Sequence, residues 1–228
     1  SVTEGVLSVR QVHQKAQEYG TSITVFLLAA FILAIYQEMP LRALPQPVVM
    51  SVPVNLRNYF SSGTARNFFG LINVSCRFSQ EEPSLEAIIQ KVSAAFRQEL
   101  TAEQLSRRMN DLIALEKNPL IRVLPLSIKN PILRLSSMLS SQGVTSSLSN
   151  VGRVSMPEAL RPYILQFGLM VSSPTLQACV CSFEDRLVIS FTSAFLNPDI
   201  RRNFFRLLSG MGLTVELAVN EPTLTPVT

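Results

Sequence analysis

The chain opens on a helical rhythm of apolar positions and closes on an alternating one. In "LSVRQVHQKAQEYG" (7–20), Val9, Val12, Ala16 and Tyr19 recur at three- and four-residue steps, which predicts an amphipathic helix ended by Gly20. Thr21 or Ser22 is placed to cap a second helix through about Glu38 that is apolar on every side and therefore expected to be buried. Pro40, Pro45 and Pro47 mark the loop leaving it. Alternation in "VVMSVPVNLR" (48–57) puts Val48, Met50, Val52 and Val54 on one face of a strand. A second strand follows in "LINVSCRFS" (71–79), after a loop that carries Arg66 and Asn67. From Ser84 a long helix is predicted, with Ile88, Val92, Ala95, Phe96 and Leu100 on its buried side. Glu81, Glu82 and Glu86 precede or open that helix, where negative charge suits the helix dipole. Helical or irregular segments punctuated by Pro119, Pro125 and Pro131 fill 102–141.

After residue 143 the period changes to two. Strands are expected at 144–149, 163–172, 176–183 and 186–193, the last two joined by a tight turn at Glu184-Asp185. "NPDIRRNFFRLLSGMG" then reads as a helix with Asn197 as N-cap, Pro198 at its first position and Asp199 in its first turn. Its apolar stripe is Ile200, Phe204, Leu207, Leu208 and Met211, and Gly210 or Gly212 closes it. A short strand at 213–219 precedes a Pro/Thr-rich tail. This order predicts one α/β domain over 1–228: a two-layer sandwich, its mixed, largely antiparallel sheet carrying helices on one face.

Composition narrows the function classes. Apolar residues make up 47% of the chain and charged ones 16%, so a large core is expected and part of the surface is expected to be covered by a partner. The net charge of +4 comes from scattered Lys and Arg, which argues against a nucleic-acid face and suits an anionic cofactor only weakly. The apolar run "VFLLAAFILAIY" (25–36) is twelve residues long, short of the roughly 20 that a membrane span requires. It also lacks the flanks of a signal peptide, and a buried helix is expected. Cys76, Cys179 and Cys181 lack metal-ligand spacing and read as reduced core residues of a cytoplasmic protein. A chain that starts at Ser1, without a methionine, and enters directly into a helical pattern is expected to be a piece of a longer protein.

Candidate chemistry is sparse. The single histidine, His13, lies among Gln11, Gln14, Lys15 and Gln17 on what reads as a solvated helix face, so no general base is expected from it. No Gly-x-Ser-x-Gly elbow, Gly-rich phosphate loop or metal-ligand cluster is present in the sequence. Two constellations look positioned. Arg57 ends a predicted strand with Asn67 in the loop after it, and "TSSLSNVG" (145–152) ends another with Ser149, Asn150 and Gly152. A Ser hydroxyl or Asn amide at a strand end can donate to a developing oxyanion. The same residues can equally terminate a strand by bonding their own backbone, with Gly152 supplying a positive φ.

Taken in order, "AQEYGTSITVFLLAAFILAIY", "VPVNLRNYFSSGTARNFFG", "SNVGRVSMP", the hairpin and "NPDIRRNFFRLLSGMG" resemble the C-terminal half of a chloramphenicol-acetyltransferase-like acyltransferase. Alcohol acetyltransferases and the condensation domains of peptide synthetases are the nearest branches. The resemblance implies two similar halves with a tunnel between them. Its general base, the second histidine of His-His-x-x-x-Asp, would lie on the other half, so no catalytic residue and no metal site is expected here. The co-substrate implied is acyl-CoA or an acyl-carrier thioester, with no covalently bound cofactor, and the acceptor is a small molecule bearing a hydroxyl or amine. By the same resemblance Ser149 and Asn150 would line the acyl site or support the tetrahedral intermediate. Arg57 and Asn67 would brace the tunnel wall, and Gly152 would serve the backbone turn. The partner implied is the N-terminal half of the same protein, with self-association where that face is bare. Two other readings stand beside this one: a non-catalytic binding or scaffolding module of the same fold, and a domain that binds an apolar ligand in the tunnel region.

Overall fold

The computed structural model describes residues 1–64, 67–78, 83–117, 130, 143–173, 175–194 and 198–220. Arg66, Glu81, Glu82, Asn197, the prolines between 119 and 131 and the C-terminal tail lie outside the described residues.

Among the described residues seven strands form one mixed sheet in the order β3-β2-β4-β5-β6-β1-β7. They are β1 (Val2–Ser8), β2 (Val48–Asn55), β3 (Phe69–Cys76), β4 (Ser146–Arg153), β5 (Gln177–Phe183), β6 (Arg186–Thr192) and β7 (Glu216–Val219). β4 runs parallel to both β2 and β5, and every other pairing is antiparallel. The α-helices with described bounds are α1 (Val9–Glu18), α2 (Ile23–Gln37), α3 (Leu85–Glu99), α4 (Ala102–Lys117) and α5 (Asp199–Gly210). The architecture is the expected two-layer α/β sandwich.

One face of the sheet carries the core. Val48, Met50, Ile72, Val74, Leu148, Ala178, Val180, Ile189 and Phe191 point from it into the helix layer. α2 is the centre of that layer: every residue from Val25 to Ile35 is buried, which is what a helix without a polar side requires. Ser22 caps it by accepting from the Val25 amide. Phe31, Phe191, Phe204 and Phe205 then lock α2, β6 and α5 together through edge-to-face ring contacts. No single helix among the described residues is long and apolar enough to cross a membrane.

Two elements differ from the expectations. The chain does not enter in a helix; Val2–Ser8 is a strand paired on both sides, by β6 and β7. Its inward residues are Thr3, Gly5 and Leu7, two of which carry no apolar signature, so the period-two pattern is hidden. Gly5 is required there, because a Cβ would stand 2.2 Å from the Phe205 ring. The alternating stretch 163–172 is not a strand. A 3-10 turn over Glu158–Tyr163 gives way to an irregular segment that crosses the sheet's helix-free face. Its carbonyls are taken up by side chains from below: Phe167 O accepts from Cys181 Sγ, and Val171 O accepts from Thr192 Oγ1. Alternation there reports one side packed on a sheet and one side exposed, which a covering segment satisfies as well as a ladder strand does. The strand boundary after β2 also shifts, so that Arg57 falls in a 3-10 turn, Leu56–Asn58.

Candidate functional site

The sheet face opposite α2 carries no helix among the described residues and is divided in two. Over β1, β6 and β5 the segment 164–171 lies close on the sheet. Phe167 packs edge-on against Phe183, and Gly168 sits so near Glu4 that a Cβ would come within 2.6 Å of its carboxylate. Over β5, β4, β2 and β3 no described residue covers the face, which forms a cleft of about 850 Å³. The side chains that line it follow from strand parity. Ser149 pairs with Cys179, Ser147 with Gln177 and with Ser51, and Asn73 with Ser51 across β3. These residues alternate with Leu148, Met50 and Ile72, which point the other way into the core. Val171, Ser173 and Thr175 form the wall on one side, Phe69 and Leu71 the ridge on the other.

Among the described residues, the hydroxyls of Ser51, Ser147 and Ser149 and the amides of Asn73 and Gln177 make no side-chain hydrogen bond, so this floor presents uncommitted neutral donors and acceptors. The described lining holds no acid, no histidine and no cation. Its only titratable group is Cys179, whose thiol is pushed up by burial and further by the neighbouring Cys181. A protonated, 2% exposed thiol is no nucleophile at neutral pH. The cleft can orient and polarise a carbonyl. It cannot, from these residues, take a proton.

Asn150 is placed differently from Ser149. It pairs with Val180, faces the helix layer and is spent on structure: its Nδ2 donates to Thr24 Oγ1 in the first turn of α2 at 2.8 Å, and its Oδ1 accepts from Gly152 N at 2.9 Å. Gly152 has φ 83°, and the β4–β5 register slips by one residue between Asn150 and Gly152. Asn150 and Gly152 therefore build a bulge that ends the β4 floor and ties it to α2, and Ser149 is the neighbour that reaches the cleft. Arg57 and Asn67 are exposed, and Arg57 Nη2 donates to Thr64 O at 2.9 Å, holding its own loop. Neither lines the cleft. His13 is exposed on α1.

Four of the polar floor residues, Ser51, Asn73, Ser147 and Gln177, do not stand out in the sequence. A signal exists for Ser51, Asn73 and Gln177 in strand parity, where each sits between two apolar residues, whereas Ser147 follows another serine, Ser146, and carries none. It marks a residue as facing away from the core, but not that the facing-away sides of four strands meet in one cleft.

No protein-family profile matches the chain, and no curated protein matches it in sequence. Solved structures do. The condensation domain that mediates chain release from the enacyloxin polyketide synthase superposes with a TM-score of 0.53 at 14% identity, over 100% of this chain and 43% of that one. The fold is the chloramphenicol-acetyltransferase-like condensation fold. The first condensation domain of the CDA synthetase gives 0.54 at 16% identity, over 92% of this chain and 44% of that chain. The trichothecene 15-O-acetyltransferase TRI3 of Fusarium sporotrichioides gives 0.54 at 15% identity, over 92% and 46%. The chain thus spans less than half the length of each of these condensation-fold proteins.

Proposed function

We propose that this chain is the substrate-channel half of an acyltransferase that moves an acyl group from a thioester to a hydroxyl or amine, with the general base supplied by another segment. The observation that carries the reading is the cleft over β2–β5, floored by uncommitted hydroxyls and amides and, among the described residues, without a titratable group active at neutral pH. Its neighbours in fold are condensation domains and an O-acetyltransferase, which supports acyl transfer as the general chemistry.

In this reading Ser149 donates to the thioester carbonyl as negative charge develops on it. A single well-placed donor of that kind contributes about 2.7–4 kcal/mol to the transition state. Asn150 and Gly152 are positioning residues that fix where β4 ends. The neutral floor matches the amide-rich arm of a pantetheine thioester, whether on CoA or on a carrier protein. Phosphates of CoA would be held outside the cleft, since its described lining offers no cation. An apolar pocket of about 690 Å³ between α4 and β3 shares Phe69, Leu71 and Asn73 with the cleft and leaves room for the apolar part of a substrate.

Around the mouth Phe69, Leu71 and Val171 are 54%, 54% and 44% exposed. This apolar rim is the surface we assign to the complementary half, and to self-association where that half is absent. Binding of an S-acyl pantetheine thioester, followed by amide hydrogen exchange, tests the reading. Protection is expected at β2, β4 and the segment 171–175, and is lost in Ser149→Leu, which fills the cleft. Protection confined to other elements, or unchanged in that variant, overturns it.

A further inference from the structure

A second cavity lies at the other end of the sheet, on the opposite face. Among the described residues the helix layer stops at α5, one strand short of the sheet edge, and leaves a slot of about 530 Å³ between that helix and β7. Its floor is apolar. Leu217 and Val219 point from β7 toward the helix side, paired with Gly5 and Thr3 of β1, and they remain 57% and 63% exposed although they face the core side of the sheet. Phe205 forms the inner wall and cannot swing to fill the space, because its ring is held over Gly5 and edge-on against Phe191 and Phe204.

The rim is cationic. Arg202 and Arg206 stand one turn apart on α5 above the slot, and Arg201 lies buried at its end, donating to Ser1 Oγ and Thr3 Oγ1. Arg202 pairs with Asp199 at 2.5 Å, whereas Arg206 makes no ion pair among the described residues. No acidic residue is found in the described lining.

We propose that this slot binds a soluble long-chain carboxylate, its aliphatic chain along Leu217 and Val219 and its carboxylate against Arg206 at the rim. The cavity lies within the roughly 300–1,000 Å³ typical of small-ligand sites, and pairs an apolar body with a few placed polar groups in the way such sites do. A planar guanidinium at the mouth selects an anion, and does so bidentately for a carboxylate. The site is independent of the cleft over β4, which lies on the other face of the sheet and several strands away.

Calorimetric titration of the chain with dodecanoate below its micelle concentration tests this. One saturating site is expected, weakened at least tenfold for the methyl ester and for dodecylamine, and at least tenfold again in Arg206→Glu and in Val219→Asp. Because Val219→Asp could disturb β7, its melting midpoint is measured alongside, and Arg206→Glu, an exposed change, is decisive if that midpoint falls. The proposal is overturned by no saturable binding. It is equally overturned by equal affinity for acid and ester, by indifference to Arg206→Glu, by flotation on phosphatidylglycerol vesicles without dodecanoate binding, or by a dimer in solution that Leu217→Arg dissociates.

Discussion

At the scale of single residues, polar side chains that look alike in sequence divide by strand parity. Ser149 and Asn150 are adjacent, yet one faces an open cleft and the other the helix layer. Their substitutions should separate cleanly. Asn150→Ala removes two part-buried hydrogen bonds, each worth about 0.5–1.5 kcal/mol net, so a loss of about 1–3 kcal/mol is expected by denaturant unfolding. Ser149→Ala should stay within about 0.5 kcal/mol of the parent, as a residue with no structural partner does. At Gly152 a φ of 83° makes any side chain strained, and Gly152→Ala should cost about 1–2 kcal/mol in the same measurement. The sequence pattern exposed all three as a strand end. It did not say which side chain would meet the cleft, because that depends on β4 being flanked by β2 and β5, strands nearly 100 residues earlier and about 30 later.

Asp185 shows how one carboxylate can join elements. Lying in the β5–β6 turn, it accepts from the Arg10 backbone amide and from the Ser8 hydroxyl at the start of α1, with the Arg10 guanidinium 3.3 Å away. The Arg10 amide first, and the Ser8 hydroxyl next, hold its carboxyl below the usual aspartate value. A group depressed on folding stabilises above its unfolded pKa and loses that contribution as pH falls through its folded one. Asp185→Asn should therefore flatten the acid limb of a stability-versus-pH curve and leave the neutral-to-alkaline part parallel to the parent. An acid limb of unchanged slope would mean the contacts to α1 contribute nothing.

At the scale of elements, the long helices and the β5–β6 hairpin were legible because their patterns are self-contained. An all-apolar fifteen-residue helix has few alternatives to burial, and α2 takes it. Its packing predicts that Phe31→Ala, at a ring fully enclosed by Phe191 and Phe204, costs about 3–5 kcal/mol. Elements whose identity depends on distant neighbours were not legible. β1 hides its inward face in Thr3 and Gly5, and the segment 164–173 alternates because it lies on a sheet it does not join. Arg57, read as a wall residue, holds its own loop through Thr64, and Asn67, read likewise, is exposed; neither lines the cleft. Edge protection is likewise tertiary: Arg108 of α4 donates to the Leu71 carbonyl on the outer edge of β3, a contact between residues 37 apart.

At the scale of the whole molecule, the sheet presents two faces of opposite character. The helix-covered face holds the core; the other holds a neutral polar cleft bordered by exposed apolar side chains. That distribution sets the surface proposed for a partner beside the surface proposed as a reaction chamber. Light scattering should show concentration-dependent association of the isolated chain, abolished by Leu71→Glu at the rim. A monomer at every concentration would remove the rim as an interface.

In the proposed division of labour this chain shapes and polarises, while another segment takes the proton. Thiol release from an S-acyl pantetheine thioester in the presence of an acyl acceptor, followed with the chain alone and then joined to a half that carries His-His-x-x-x-Asp, tests it most directly. Background rates are expected for the chain alone, transfer once the histidine half is joined, and loss of that transfer in Ser149→Leu. Acceptor-dependent turnover by the chain alone, or a joined enzyme indifferent to Ser149→Leu, would contradict it.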